Sequence, residues 1–233
     1  MLCLTGLSAS APAQQLAASP QQPEHFKTTI KVTAKLDYLL YLPEGYAKSK
    51  QRWPLMLFLH GAGESGTNLD KLKMLGPPCL VETNGGFPFI LVSPQTTREG
   101  WNPDALNALL DSVLHKYRVD KDRVYVTGAS MGGTGTWRMA AAHPERFAAI
   151  VPICGRGDPA DAKQLARLPI WVFHGAKDPV VSIASEKAMV AAIEAAGGNV
   201  KFTIYPEAAH NAWTATYNNP EMYEWLLKQK RQH

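Results

Sequence analysis

One short segment of the sequence, GASMG at residues 128–132, places Ser130 between two glycines in the pattern G-x-S-x-G. The apolar run at residues 123–127 predicts a strand before it, and residues 131–142 predict a helix after it. On such a strand-to-helix turn the serine hydroxyl is exposed, and a side chain at either glycine position would crowd the turn. Ser130 is therefore a candidate nucleophile; the alternative is a surface serine in a glycine-rich turn.

His210 is the candidate base for this serine. A serine hydroxyl becomes a nucleophile when an imidazole removes its proton and a carboxylate fixes the imidazole tautomer. In enzymes with this turn, the acid and then the histidine follow the serine along the chain. His210 lies in a short loop after the strand predicted at residues 200–205. Three other histidines follow the serine, at a helix end, before the candidate acid and at the last residue: His143, His174 and His233.

Asp178 is the candidate carboxylate. It follows the strand predicted at residues 170–173, in a loop at the carboxyl end of that strand, where open α/β sheets place their ligands. Chain order and this position favour Asp178, although an aspartate before a proline is also typical of a plain turn. Three acids compete with it, two after the preceding strand and one near the candidate base: Asp158, Asp161 and Glu207.

A second glycine-containing loop, HGAGE at residues 60–64, follows the apolar strand predicted at residues 53–59. Acyl transfer develops negative charge on the carbonyl oxygen, and backbone N–H groups aimed at that oxygen stabilise it. We expect the N–H groups of Ala62 and Met131 to form this oxyanion hole, and His60 to brace the loop without transferring a proton. The alternative is a glycine turn that only ends the strand.

Short apolar runs alternate with helical patterns from residue 26 onward, which predicts an α/β fold. The sheet is expected to be mainly parallel, with about eight strands, helices on both faces and a single domain over residues 26–233. The predicted strands are residues 26–33, 36–42, 53–59, 87–92, 123–127, 148–153, 170–173 and 200–205. Helices are predicted from Pro103, over 131–142, from an N-cap at Ser182 to before Gly197, and over 219–230.

Four runs of the sequence, FLHGAGESG, VYVTGASMGGTGTW, FHGAKDPVV and YPEAAHNAW, resemble the stand-alone serine esterases of the α/β-hydrolase superfamily. These are grouped with carboxylesterase/phospholipase, dienelactone-hydrolase-like, polyhydroxybutyrate-depolymerase-like and prolyl-oligopeptidase-catalytic-domain sequences. The resemblance covers roughly residues 36–230. It implies an α/β-hydrolase fold, a Ser130–Asp178–His210 triad, and Ala62 and Met131 at the oxyanion hole.

Two departures from these relatives affect what can be carried over. The oxyanion loop reads His-Gly-Ala-Gly where lipase-like relatives have His-Gly-Gly-Gly, which puts the donor at Ala62 in doubt. The nucleophile is a serine, whereas dienelactone hydrolases proper use a cysteine, so their substrate is not expected here.

The segment from Cys154 to Pro169 bears on substrate size, because caps in this fold are commonly inserted there. Its 16 residues are too few for a helical cap domain. We therefore expect an uncapped site that favours small acyl groups, unless residues 68–86 form a lid. Trp101 and Trp213 are candidate walls of a small pocket; the alternative is that either belongs to the core.

The first 25 residues differ in composition from the rest and contain no Lys or Arg. Residues 11–13, Ala-Pro-Ala, fit a secretory cleavage site. We interpret residues 1–25 as the remnant of an export signal, which predicts a periplasmic or secreted protein; the alternative is a disordered tail on a cytoplasmic one. Two of the three cysteines, Cys79 and Cys154, could pair after export, but two separate thiols are favoured.

Composition excludes some classes of partner. The net charge of +4 is spread along the chain without a basic cluster, so no nucleic-acid partner is expected, and no apolar stretch is long enough to span a membrane. The sequence predicts a carboxylic ester hydrolase with a small-molecule ester substrate and neither metal nor cofactor; oligomeric state is left open. One alternative is a prolyl-oligopeptidase-like peptidase, although those enzymes usually carry a second domain that screens substrates and 233 residues leave no room for one. The other alternative is a non-catalytic binding protein.

Overall fold

The computed structural model of the protein describes residues 33–97 and 100–231. The described residues of the range Ala34–His233 form one compact unit, and Thr33 is the one described residue that precedes it. The sequence predicted a single domain from residue 26. Because residues 26–32 lie outside the described part, that division stays a prediction.

Within the described residues, a seven-stranded sheet forms the centre of this unit, and its strand order is β1-β3-β2-β4-β5-β6-β7. Strand β1 pairs with β3 in antiparallel fashion, and every other pair is parallel. The strands are β1 (Asp37–Tyr41), β2 (Trp53–Leu59), β3 (Ile90–Gln95), β4 (Val119–Ala129), β5 (Ala149–Ile153), β6 (Ile170–Gly175) and β7 (Val200–Tyr205). This confirms the mainly parallel sheet.

The strand predictions differ from the structure in several places; among them, β4 was predicted at residues 123–127 and spans Val119–Ala129, and β6 extends two residues past its predicted end at residue 173. The strand predicted at residues 26–33 lies outside the described residues except for Thr33, which is not in a strand, so seven strands are seen where about eight were expected. The strand predicted at residues 87–92 begins at Ile90 and extends to Gln95. Polar residues Ser93 and Gln95 at its end are buried, which the apolar pattern did not anticipate.

The described residues contain seven α-helices, of which the last two follow β7. They are α1 (Gly76–Thr83), α2 (Pro103–Lys116), α3 (Met131–Ala142), α4 (Ala162–Leu165), α5 (Ile183–Ala195), α6 (Trp213–Tyr217) and α7 (Pro220–Lys228). Short 3-10 helices lie at Tyr46–Lys48, Ala62–Glu64, Leu69–Met74, Pro144–Arg146 and Pro159–Asp161. The Ser182 side chain accepts a hydrogen bond from the N–H of Ala184, so the predicted N-cap of α5 is confirmed.

Two apolar cores cover the two faces of the sheet. Leu57 of β2 packs with residues of α2, α3 and α5 on one face, whereas its neighbour Phe58 packs with residues of α6 and α7 on the other. Side chains alternate along a strand, so a strand that is apolar at every position supplies both cores. This explains why residues 53–59 are apolar throughout and confirms helices on both faces.

The connection between β5 and β6 contains one 3-10 turn and the short helix α4. A large cap domain is therefore absent from this position, as predicted. Residues 69–83 instead form a 3-10 helix and α1, which contact β3 and α6. Of the helices in the described ranges, none combines the length and the apolar character needed to cross a membrane. Cys79 and Cys154 are both free thiols, which confirms the preferred interpretation.

Candidate active site

Ser130 sits on the sharp turn between β4 and α3. Its backbone has φ of 56° and ψ of −114°, a conformation that costs a non-glycine residue on the order of 1–3 kcal/mol. The Ser130 N–H donates to the carbonyl of Ile153 on the neighbouring strand β5, which helps to hold the turn. A Cβ atom on Gly132 would lie 1.8 Å from the carbonyl oxygen of Leu59. Because β2 passes this close, position 132 has no room for a side chain and requires glycine.

The side chain of His210 bridges Ser130 and Asp178. Its Nε2 atom lies 2.8 Å from Ser130 Oγ, and its Nδ1 atom lies 2.7 Å from Asp178 Oδ2. The carboxylate can only accept, so Nδ1 donates to it and Nε2 is left to accept the serine proton. The structure thus brings together the three residues that the sequence nominated.

Asp178 is held by its own turn as well as by His210. Its Oδ1 atom accepts hydrogen bonds from the N–H groups of Val180 (2.8 Å) and Val181 (2.9 Å), and its side chain is fully buried. Burial by itself raises the pKa of Asp178, but the hydrogen bonds from His210, Val181 and Val180 outweigh that effect. The pKa of this carboxyl therefore lies below its usual value, and the group is ionised at neutral pH.

The competing acids are engaged elsewhere. Asp158 caps the 3-10 helix at Pro159–Asp161, where its side chain accepts from the N–H of Ala160. Asp161 accepts from the side chain of Gln164. Glu207, the acid nearest to His210 in sequence, forms an exposed ion pair with Lys177 at 2.5 Å.

The competing histidines also have other positions. His143 ends α3, as expected for a residue before Pro144, and its Nε2 atom lies 3.8 Å from Asp104. His233 lies outside the described residues. The Nε2 atom of His174 lies 3.3 Å from Asp178 Oδ2, a contact that the order of residues in the sequence did not predict.

The loop predicted to supply oxyanion donors lies against the nucleophile. A Cβ atom on Gly61 would be 3.8 Å from the Cβ of Ser130, so the loop backbone passes directly beside it. Ala62 follows at the start of a 3-10 helix and is exposed. Met131 is the first residue of α3, where backbone N–H groups have no acceptor within the helix and the helix dipole favours negative charge. Both positions suit the assigned role, which stays a proposal.

The buried side chain of His60 braces this loop. Its Nε2 atom accepts from the N–H of Thr96 (3.1 Å), so Nδ1 carries the proton and contacts the carbonyl of Gly61 at 2.5 Å. The indole N–H of Trp101 donates to the carbonyl of His60 at 3.3 Å. Burial lowers the pKa of His60, which keeps the ring neutral. These contacts fit the bracing role that the sequence suggested.

A cleft of about 650 Å³ opens beside Ser130, a size typical of small-ligand sites. Its walls include Met131, Trp137, Arg138 and Arg156. Trp101 is only 5% exposed, which favours the alternative that it belongs to the core. Trp213 packs edge-on against the ring of His210, with 5.2 Å between ring centroids; its role as a pocket wall stays a prediction.

Sequence reasoning missed one buried acid near the site. The carboxyl group of Glu186 on α5 accepts hydrogen bonds from the indole N–H of Trp137 and the backbone N–H of Gly155, each at 3.0 Å. Burial raises the pKa of Glu186 to about 8. A signal was present, because Glu186 lies three and seven residues before the buried Met189 and Ile193, on the apolar face of the helix.

Glu64 is a second acid that the sequence did not single out. Burial raises the pKa of Glu64, although backbone N–H groups of Glu64 and Gly61 partly oppose this. Its carboxylate lies close to Gly61, since a Cβ atom there would be 3.2 Å from Glu64 Oε2. The side chain therefore supports the loop beside the nucleophile.

Donor atoms of Cys154, His174 and Asp178 lie within 4.8 Å of one another, the only such group of metal-type donors among the described residues. Two of these side chains already have partners, because Asp178 accepts from His210 and His174 contacts the carbonyl of Val181. Burial raises the pKa of the Cys154 thiol to about 12, so it is not the thiolate that binds metals. We assign no metal to this group.

A parallel sheet with a serine on the turn after β4, an acid after β6 and a histidine after β7 defines an α/β-hydrolase. Comparison with solved structures agrees. The crystal structure of a thermostable esterase is 33% identical and superposes with a TM-score of 0.73, covering 84% of this chain and 60% of the esterase. A ferulic acid esterase superposes with a TM-score of 0.62 at 18% identity, over 83% of this chain and 91% of that one.

Sequence comparison identifies the family. The model of the dienelactone hydrolase family matches residues 92–224, more than half of the chain, and this span contains Ser130, Asp178 and His210. The chain belongs to the dienelactone hydrolase family. A curated relative, "Probable feruloyl esterase C" of Aspergillus terreus, is 30% identical over 63% of this chain and 56% of its own length. The chain spans about half the length of the first curated relatives it matches.

Proposed function

We propose that this protein is a serine hydrolase that cleaves carboxylic esters through an acyl-enzyme on Ser130. The observation that carries the proposal is the position of His210, within hydrogen-bond distance of both Ser130 Oγ (2.8 Å) and Asp178 Oδ2 (2.7 Å). A non-catalytic binding protein has no need of this arrangement. The family and the names of the relatives support the same chemistry.

In the first half of the reaction, His210 Nε2 removes the proton of Ser130 as Oγ attacks the ester carbonyl carbon. The carbonyl oxygen becomes negatively charged, and the N–H groups of Met131 and Ala62 donate to it. Asp178 stabilises the imidazolium without taking its proton. As the carbon–oxygen ester bond breaks, His210 returns the proton to the leaving alcohol, and the acyl group remains on Ser130.

In the second half, water replaces the alcohol. His210 removes a proton from the water as its oxygen attacks the acyl carbon, and the same N–H groups stabilise the second tetrahedral intermediate. Collapse releases the carboxylic acid and returns the proton to Ser130 Oγ.

The proposed substrates are esters of short acyl chains or of small aromatic or sugar groups. The cleft beside Ser130 has the volume for such groups, and the β5–β6 connection holds no cap that would enclose a longer chain. Two relatives are named for related esters, "Probable feruloyl esterase C" and "Bifunctional acetylxylan esterase/xylanase XynS20E" of Neocallimastix patriciarum. The latter is 28% identical over 63% of this chain and 22% of its own length.

A fluorophosphonate probe tests the mechanism, since it phosphonylates an activated serine. We expect labelling of the wild type and none of Ser130→Ala, with hydrolysis of p-nitrophenyl, feruloyl and acetyl-sugar esters that EDTA does not inhibit. Unlabelled wild type would favour the binding-protein alternative. Faster cleavage of a peptide amide than of any ester would favour the peptidase.

We also propose that the protein is exported. Support comes only from the composition of residues 1–25, which lie outside the described part. Cell fractionation with N-terminal sequencing of the mature protein tests it. A new N-terminus close to residue 14 is expected, and an intact cytoplasmic chain would contradict the proposal.

A further inference from the structure

A second histidine, His174, lies on the side of Asp178 that faces away from solvent. It occupies β6 four residues before the aspartate, and its side chain is fully buried, whereas that of His210 is 20% exposed. The Nε2 atom of His174 lies 2.9 Å from the carbonyl oxygen of Val181 and 3.3 Å from Asp178 Oδ2. The carboxylate that orients His210 is therefore flanked by two imidazoles.

These contacts fix the tautomer of His174. A carbonyl and a carboxylate oxygen both accept hydrogen bonds, so Nε2 must carry a proton. The shorter contact, to Val181, takes the hydrogen bond, and Asp178 Oδ2 faces the positive end of the same N–H dipole. The opposite atom, Nδ1, is buried with no hydrogen-bond partner among the described residues, which disfavours a second proton there.

The surroundings keep this ring neutral. Burial lowers the pKa of His174, and this effect outweighs the opposing influence of Val181 and Asp178. The titratable groups near it are Asp178, His210 and the thiol of Cys154 at the end of β5. Glu186, on the packed helix α5, directs its carboxyl to Trp137 and Gly155. The donor at Nε2 is thus present throughout the neutral pH range.

We propose that His174 is a positioning residue for the reaction, which acts through Asp178. By holding the Val181 carbonyl, it fixes the turn whose N–H groups bind Asp178 Oδ1, and by facing Oδ2 with an N–H dipole it limits how basic that oxygen is. His210 then has one fixed acceptor at the right distance from Ser130. This inference rests on the proposed function, because positioning matters only if the triad reacts.

Two substitutions separate the N–H donor from the bulk of the ring. In His174→Gln the side-chain amide reaches the position of Nε2 and keeps a donor there, whereas in His174→Asn it reaches only the position of Nδ1. We expect kcat for p-nitrophenyl acetate to fall on the order of 10-fold or more in His174→Asn, with KM changed less than about 3-fold. Gln should restore most of this loss.

The pH profile provides a readout that packing alone would not move. Without the N–H dipole, Asp178 favours the protonated form of His210 more strongly, so the acid limb of kcat/KM should move to higher pH by about half a unit in His174→Asn. The limb should stay in place in His174→Gln. Wild-type kcat and profile in His174→Asn would overturn the proposal, as would equal losses in both variants that follow a common loss of thermal stability.

Nitrogen-15 NMR of the wild type tests the tautomer without any substitution that could impair folding. The expected His174 signals at neutral pH are those of a neutral ring protonated at Nε2. A proton at Nδ1 would overturn the proposal. Failure of the wild type to react with the fluorophosphonate would contradict the proposed function instead, so the two failures are distinguishable.

Discussion

His210 Nε2 lies 2.8 Å from Ser130 Oγ, although 80 residues separate the two in the chain. The contact forms because β4 and β7 end at the same edge of the parallel sheet, with β5 and β6 between them. The loops after these strands can therefore meet, and the loop after β6 adds Asp178.

The first prediction concerns these three side chains. Ser130→Ala and His210→Ala should each lower kcat by several orders of magnitude with little change in KM, because they remove transition-state interactions and leave the cleft intact. Asp178→Asn should also lower kcat by about 10⁴-fold, since the amide favours the wrong imidazole tautomer. Steady-state kinetics on p-nitrophenyl acetate measures this. Near-normal activity in Asp178→Asn would mean that another acid orients His210.

The second prediction concerns the pH dependence of kcat/KM. Activity should rise with pH as His210 loses its proton, because only the neutral ring accepts from Ser130. Asp178 should add no further step in the neutral range, since the hydrogen bonds it accepts hold its pKa below the usual value. A plot of log kcat/KM against pH should have an acid limb with a slope of about one. A slope of two would show that a second group must also ionise.

The third prediction concerns acyl-chain length. The β5–β6 connection contains only a 3-10 turn and α4, so little surface is available to bury a long chain. Each buried CH₂ group would contribute about 0.8 kcal/mol, and that gain is missing in an open cleft. We expect kcat/KM for p-nitrophenyl esters to fall steeply beyond acyl chains of roughly eight carbons, without activation by lipid droplets. Preference for palmitate over butyrate would indicate that residues 68–86 close over the site.

The fourth prediction concerns stability and Glu186. Its native pKa of about 8 exceeds the usual value of 4.5, so between these pH values the folded protein binds a proton that the unfolded chain releases. Glu186 therefore stabilises the fold fully below pH 4.5, and the contribution is lost as pH rises toward 8.

Urea unfolding of the wild type and Glu186→Gln at several pH values measures this contribution. Gln cannot ionise, and all other groups are shared. The free energy of unfolding of the wild type minus that of Glu186→Gln should fall by on the order of 2–5 kcal/mol between pH 5 and pH 8.5. A constant difference at every pH would show that Glu186 does not titrate in this range.

The fifth prediction concerns the glycine after the nucleophile. Gly132→Ala would place a Cβ atom 1.8 Å from the backbone oxygen of Leu59. This clash can be relieved only if α3 or β2 moves. We expect a loss of stability on the order of 3 kcal/mol or more. Gly63→Ala is the matched control, because its Cβ meets nothing within 4 Å; it should change stability by less than about 0.5 kcal/mol. Equal melting temperatures in the two variants would contradict the prediction.

Local patterns in the sequence determined much of the fold and the identity of the candidate triad. Residues 53–59 and 200–205 formed the strands that their apolar content predicted, and residues 131–142 formed the predicted helix. These elements depend on residues close in the chain, whose spacing already encodes which faces are buried. The order of Ser130, Asp178 and His210 follows from the same alternation of strands and loops.

The tertiary structure alone decided which groups surround these residues. Glu207, three residues from His210, pairs with Lys177, and the carboxylate that reaches the imidazole comes from 32 residues away. The parallel pairing of β6 and β7 sets this choice, since it places His174 opposite Ile204 and brings the following loops together. The contact of His174 with Asp178 and the burial of Glu186 arise in the same way. Such contacts depend on register and helix packing between distant segments, which no short stretch of sequence contains.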